Sequence, residues 1–297
     1  MKTIPLSKGP FPNPTTDLAQ VKADIDEFGY GIVKDALNQQ EVDTLSAVIS
    51  AEIEKEEKAG NLKESYTDRD NTNRRVNVLM DRHKCFLNLV DHPLAMEMAS
   101  WFLGTSYLNE SFLLHGLSAN VTYPGCKDMG VHGDTDNLLP HINVPVHLRV
   151  IWCIDDFDEE VGATRVVPKS HLLGKYPEKD GSVKYETLAA VAPAGSALIY
   201  DGRLYHGTGA NNSKDRQRAA IISGYIQPWM RPLACYPMIL NPEAIAGASE
   251  RCREILGYGT VHLGFDQPWR HATKEVTALT IGQKRSIEEM RAEVRQD

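Results

Sequence analysis

Residues 147–171 read HLRVIWCIDDFDEEVGATRVVPKSH. Two runs rich in β-branched and aromatic residues, HLRVIWCI at 147–154 and TRVVP at 164–168, flank DDFDEEVG at 155–162. Val, Ile, Trp and Thr suit a pleated, half-buried surface, whereas clustered Asp, Gly and Pro interrupt it. The acidic stretch lacks the alternating carboxylates and distal Glu of a calcium loop, so it reads as a solvated turn. The same texture extends in both directions. FLLHGLSANVTY at 112–123, SALIYD at 196–201 and RAAIISGYI at 218–226 are further short runs, separated by PGCKD, PAGS and NNSKD. Short strands between regular turn signals predict a sandwich or jelly roll.

Upstream the period changes. Leu18, Val21, Ile25 and Phe28 fall on one helix face, and Gly29 ends the run. GYGIV at 29–33 reads as a short strand. Asn38 and Glu41 have capping-box spacing, opening a helix through Val42, Leu45, Val48 and Ile49 toward Gly60. DRDNTNRR at 68–75 reads as a loop, and PLAMEMASWFLG at 93–104 as a helix with Pro93 in its first turn. A last helix is expected near 242–256. The sequence predicts one domain over 1–297, mainly β with flanking helices. Its parts are a loose arm at 1–14, a mainly helical layer at 15–106, a β core at 107–230, and a C-terminal helix with an irregular tail at 231–297.

The 297 residues are 42% hydrophobic and 24% charged, with a formal net charge of -8, the balance of a soluble globular protein. No basic stripe favours nucleic acid, and no apolar run has membrane-spanning length. Five scattered cysteines without a CxxC pair, and an N-terminus without an apolar leader segment, predict reduced thiols in a cytoplasmic protein. A homodimer is compatible with the sequence but nothing in it requires one. P-loop, GxGxxG and GxSxG patterns are missing, which removes the main support for nucleotide-binding and acyl-hydrolase readings.

The chemistry concentrates in VHGDTDNLLPH at 131–141. On extended backbone, His132 and Asp134 point to one side, so an imidazole and a carboxylate can reach one ion. A facial triad on iron needs one more histidine and leaves positions open. His206, in YDGRLYHGTGANNS at 200–213, is the leading candidate because glycines around it permit close backbone approach. His115, His141, His147 and His171 are its rivals.

HGD, GATRVVPKSH, HGTGANNS, RQRAAIISGYIQPW and LGYG, in this order and spacing, resemble the phytanoyl-CoA dioxygenase family. The resemblance runs from about residue 17 to 265. It implies a double-stranded β-helix (a cupin-like jelly roll), Fe(2+), and 2-oxoglutarate and O2 as cosubstrates. His132, Asp134 and His206 match the iron ligands. Arg218 matches the arginine that meets the far carboxylate of 2-oxoglutarate, a task suited to the planar guanidinium fork, with Arg216 as its rival. Thr208 matches a hydroxyl on the cosubstrate and Trp152 an aromatic wall beside it. One departure is Lys169, where the family has glycine before Ser-His.

Tyr123, Asp136, His141, Asn143 and Trp229 are candidates for contact with substrate. The expected function is oxidation of a small molecule at a C–H bond, with release of succinate and CO2. Three alternatives are a phytanoyl-type acyl-CoA hydroxylase, a cupin-like metal enzyme of another kind, and a small-molecule-binding protein. The stretches expected at the pocket mouth carry Lys127 and many carboxylates. A polyanionic thioester would be repelled there, so a free, neutral or mildly polar secondary metabolite is the expected substrate.

Overall fold

The computed structural model describes residues 2–61, 72–104, 112–135 and 141–258. Eleven strands and seven α-helices are formed among them. In chain order they are β1 (Lys2–Ile4), α1 (Leu18–Phe28), β2 (Tyr30–Val33), α2 (Gln39–Lys58), β3 (Asn73–Asn77), α3 (Leu87–Val90) and α4 (Pro93–Leu103). Then follow β4 (Leu113–Thr122), β5 (His147–Cys153), β6 (Thr164–Val166), β7 (Val183–Tyr185), β8 (Leu188–Ala189), β9 (Ala197–Asp201), β10 (His206–Thr208) and β11 (Arg218–Ile226). Short helices α5 (Tyr236–Ile239), α6 (Pro242–Ile245) and α7 (Glu250–Arg253) close the described chain.

Six strands make an antiparallel main sheet in the order β2-β9-β5-β11-β4-β3. Three more, β10-β6-β8, make an antiparallel minor sheet facing it. This is the double-stranded β-helix, a jelly roll. Side-chain alternation divides the main sheet into two faces. Leu148, Val150, Trp152, Ala219, Ile221 and Tyr225 point to the helices and join one core with Val21, Ile49 and Met98. Ile151, Cys153, Leu198, Tyr200 and Ala220 point into the barrel, toward Phe157, Ala163 and Val166 of the minor-sheet side. Burying each large aliphatic side chain on these faces contributes about 1.5–3 kcal/mol before entropy is counted.

The helices begin and end where their cap residues dictate. Asp17 accepts from the Ala19 N–H at 2.9 Å, and Gly29 stops α1 in the left-handed region at φ 88°. Asn38 and Glu41 form the reciprocal capping box of α2. Pro93 occupies the first turn of α4. The strands expected at 112–123, 147–154, 164–168, 196–201 and 218–226 are all present.

Several expectations need correction. The N-terminal arm is not loose: Lys2–Ile4 pairs in parallel with Val183–Tyr185. Within the mainly helical layer at 15–106, β2, expected at 29–33, and β3, which was not expected, supply the two edges of the main sheet. Asn73–Arg75, read as loop, are strand residues paired with Asn120–Thr122. The single helix expected at 242–256 is broken into α6, α7 and a wide final turn at Glu254–Tyr258, which contains Gly257 at φ 86°. Lys169, at the family's glycine position, still adopts the left-handed conformation at φ 68°. Its ammonium meets Glu27 at 2.9 Å and lies over the Phe28 ring, interactions that hold a conformation costing a non-glycine residue about 1–2 kcal/mol.

Candidate metal centre and cosubstrate pocket

The chain reverses after β9 and returns as β10 along the minor sheet. His132 forms an isolated antiparallel bridge with His206, with N–H to O distances of 2.9 and 2.8 Å in the two directions. Gly207 makes this approach possible, since a Cβ there would sit 2.6 Å from the Met129 carbonyl oxygen. The Asp134 N–H donates to the Gly202 carbonyl at 2.8 Å, fixing the third residue against the same reversal. Ligand atoms of His132, Asp134 and His206 consequently lie within 4.8 Å of one another. Among the described residues this is the one group of His, Cys, Asp or Glu so arranged.

The donor set suits a divalent metal. His206 Nδ1 meets the Leu204 carbonyl at 2.9 Å and His132 Nδ1 meets the Gly130 carbonyl at 3.3 Å. Each carbonyl calls for a proton on Nδ1, which leaves the Nε2 lone pair for a metal. Burial lowers the His206 pKa to about 4, a shift only partly opposed by Asp134, so the ring is neutral near pH 7. Burial alone would raise the Asp134 pKa, but Arg149 and the nearby histidines hold it well below the usual carboxylate range. Arg149 donates from Nε to Oδ2 at 2.7 Å and from Nη2 to Oδ1 at 3.2 Å. The Tyr200 hydroxyl lies 3.3 Å from Asp134 Oδ2 and 3.1 Å from His206 Nε2. The sequence reading places neither Arg149 nor Tyr200 beside the metal ligands; it has Arg149 only as a basic residue that could reach the mouth. Their signal was alternation: His147 and Arg149 interrupt Leu148, Val150 and Trp152 at period two.

From His206 the minor sheet leads toward the opposite end of the barrel. Thr208 shares the His206 face and pairs with the buried Thr164. Arg218 starts β11 beside Thr122, with 2% exposure and its guanidinium 4.9 Å from the Phe157 ring. Its Nη1 reaches Asn120 Oδ1 at 3.4 Å, while Nε and Nη2 are buried with no hydrogen-bond partner among the described residues. Burial lowers its pKa to about 10, leaving it cationic. An unpaired buried cation is costly, and a carboxylate is the group that would satisfy the two open donors. Arg216 has a different setting: it is exposed and pairs with Asp158 at 2.8 Å and Glu160 at 2.6 Å.

The remaining candidates are scattered. Trp152 is fully buried on the helix side of the sheet, its indole N–H donating to Ser223 Oγ at 2.9 Å and its ring against His92. It does not wall the barrel interior. Tyr123 lies on that outer side too, under the Arg74 guanidinium at 4.8 Å, rather than at the mouth. His141 and Asn143 bond to each other at 2.9 Å and order their loop, with His141 against Tyr176. Trp229 is 63% exposed in the turn after β11. Asp136 lies outside the described residues. Of the rival histidines, His171 packs beneath Gly29, whereas His115 and His147 stack on each other beside Arg149.

A jelly roll whose turns bring two histidines and one carboxylate together defines a class, the non-haem facial-triad oxygenases. The family described as "Phytanoyl-CoA dioxygenase (PhyH)" matches residues 25–220, and the chain belongs to it. It is thus a dioxygenase of the iron(II)- and 2-oxoglutarate-dependent class. The chain is 28% identical to "Dioxygenase af480" of Aspergillus fumigatus over 84% of its own length and 80% of that protein. Its fold resembles that of "the non-heme alpha ketoglutarate dependent epimerase SnoN from nogalamycin biosynthesis", with a TM-score of 0.54 and 21% identity, covering 71% of this chain and 82% of that one. It also resembles the "carbocyclase SnoK" from the same biosynthesis, with a TM-score of 0.55 and 20% identity over 72% and 87% of the two chains.

Proposed function

We propose that His132, Asp134 and His206 hold iron(II), and that Arg218 receives the far carboxylate of 2-oxoglutarate. The observation that carries this reading is the buried Arg218 with two unpartnered nitrogens, in the same barrel as a His-Asp-His cluster. Thr208 and Thr164 lie along the strand path between them and supply hydroxyls for the cosubstrate. When bound, the iron would supply O2 activation coupled to oxidative decarboxylation of 2-oxoglutarate, giving succinate and CO2. The protein's part is to present two imidazoles through Nε2 and one fixed carboxylate, to anchor the cosubstrate by charge, and to keep water from the reacting centre. Arg216, held at the surface by Asp158 and Glu160, has no part in it.

The substrate in this reading is a free small molecule of the secondary-metabolite kind, oxidised at a C–H bond. The naming of relatives as fungal dioxygenases and of fold neighbours as an epimerase and a carbocyclase of nogalamycin biosynthesis supports it. A cytoplasmic setting accords with five cysteines that form no disulfide. The test is succinate release with product mass spectrometry, comparing polycyclic metabolites, a long-chain acyl-CoA and its free acid. Turnover of a free metabolite is expected. Turnover of the acyl-CoA alone, weakened by added salt, would place the chain with the acyl-CoA hydroxylases instead.

A further inference from the structure

The barrel end formed by β4, β5 and β11 carries a polar cluster that the metal and cosubstrate leave unused. His147 is 1% exposed and shares the inward face of β5 with Arg149. His115 enters at the bulge between β4 and β11 and stacks edge-on against His147, ring centroids 4.6 Å apart. Among the described residues, His147 Nε2 and His115 Nδ1 are both buried without a hydrogen-bond partner. Arg149 uses Nε and Nη2 on Asp134, and Nη1 points across Gly224. A Cβ at Gly224 would lie 2.7 Å from that Nη1, 3.0 Å from His147 Nε2 and 3.2 Å from His115 Cβ. Glycine here is what lets the two nitrogens converge.

Charge sharpens the picture. In the loaded site proposed above, the iron(II) charge is balanced by the two carboxylates of 2-oxoglutarate, and Asp134 balances one arginine. Of Arg149 and Arg218, one positive charge remains. Of the nearby carboxylates, Asp155 offsets part of the Arg218 charge, Asp201 is held by Arg203, and Asp134 is the one that acts on Arg149. Burial, reinforced by Arg149, keeps both imidazoles neutral, His115 with a pKa of about 4, so each offers one N–H.

We infer that Arg149 Nη1, His147 and His115 form a substrate subsite for an oxyanion, a carboxylate or enolate carried by the small molecule to be oxidised. The inference rests on the dioxygenase reading and narrows its substrate class. It also amends the expectation of a neutral substrate, which weighed the acidic mouth and not the basic interior. Desolvated donors converging on one point discriminate strongly for the group that satisfies them and against the analogue that leaves them open.

The test is calorimetric titration of the full chain, held without oxygen in iron(II) and 2-oxoglutarate, with 1-naphthoate and 1-naphthamide. The expected result is binding of the acid at least about tenfold tighter than the amide. His147→Leu should reduce that preference to about threefold or less, while His147→Gln, which keeps an N–H, should retain most of it. Gly224→Ala, whose Cβ displaces Nη1, gives a second reading should His147→Leu not fold. Equal binding of acid and amide, or no binding of either, would overturn the inference, as would an undiminished preference in folded His147→Leu or Gly224→Ala. The visible charge-transfer absorbance of iron(II) with 2-oxoglutarate, read on the same samples, reports separately on the dioxygenase reading.

Discussion

Arg149 grips Asp134 through both carboxylate oxygens, Nε to Oδ2 at 2.7 Å and Nη2 to Oδ1 at 3.2 Å. A metal-binding carboxylate held this way keeps one orientation, and partners beyond the ligands typically change metal affinity about 10–100-fold when removed. Arg149→Gln should therefore weaken iron(II) binding by about that factor. Tyr200→Phe, which removes the single contacts to Asp134 at 3.3 Å and His206 at 3.1 Å and leaves the two-point arginine grip intact, should weaken it less. Anaerobic competition with a chelator measures both. Wild-type affinity in Arg149→Gln would show that Asp134 is oriented without its arginine.

Arg218 and Arg216 are separated by burial. Arg218→Leu removes a desolvated cation aimed at a carboxylate, a loss of about 2–5 kcal/mol, and should raise the 2-oxoglutarate constant at least tenfold. Arg216→Leu removes an exposed ion pair worth about 0–1 kcal/mol and should leave that constant unchanged. Steady-state succinate release against 2-oxoglutarate concentration checks the ranking, and the reverse order would transfer the role to Arg216.

Trp152 tests which face of the main sheet matters for what. Trp152→Phe breaks the indole bond to Ser223 and thins the core under α4, at a cost of about 1–3 kcal/mol. Chemical denaturation should show that loss, with the 2-oxoglutarate constant unaltered. A weakened cosubstrate constant at full stability would put the indole in the pocket after all.

Acid should destabilise the metal-free protein before its carboxylates titrate. Burial depresses the pKa of His115 from 6.5 to about 4 and that of His147 well below 6.5. Groups depressed in this way bind protons more readily once unfolded. Their contribution is complete above pH 6.5 and is lost as pH falls from there toward 4, up to about 3 kcal/mol for His115. Asp134, held low by Arg149, adds its own loss only below 3.8. Denaturation midpoints at pH 7.5 and 5 should differ accordingly, and His115→Phe should flatten the slope. A stability that does not change between pH 7 and 5 would contradict the neutral, buried state of the pair.

Much of this was legible in the chain because local rules and the final fold agree. The capping box at Asn38, the stop at Gly29 and the alternating runs of β4, β5, β9 and β11 follow from residues near in sequence. Period-two spacing puts His132 and Asp134 on one side, and the glycines beside His206 mark the third member of the cluster the fold assembles. That same parity would have placed Trp152 with Leu148 and Val150 on the apolar face and Arg149 inside the barrel. The aromatic-wall expectation rests on resemblance and runs against that parity. β3 and β10 escaped because their strand character comes from partners: Asn73–Asn77 is polar, and His206–Thr208 is too short to show a pattern. The convergence of His115 with His147 depends on a bulge opposite Gly224, which no local pattern announces.

The most direct measurement of the central claim is an anaerobic titration of the metal-free protein with iron(II) in the presence of 2-oxoglutarate, following bound iron and visible charge-transfer absorbance together. Wild-type protein should saturate at one iron per chain with the absorbance rising in step. His206→Ala, folded by circular dichroism, should give neither. Saturation of His206→Ala at the wild-type stoichiometry with the same absorbance would contradict the assignment of His132, Asp134 and His206 as the iron site.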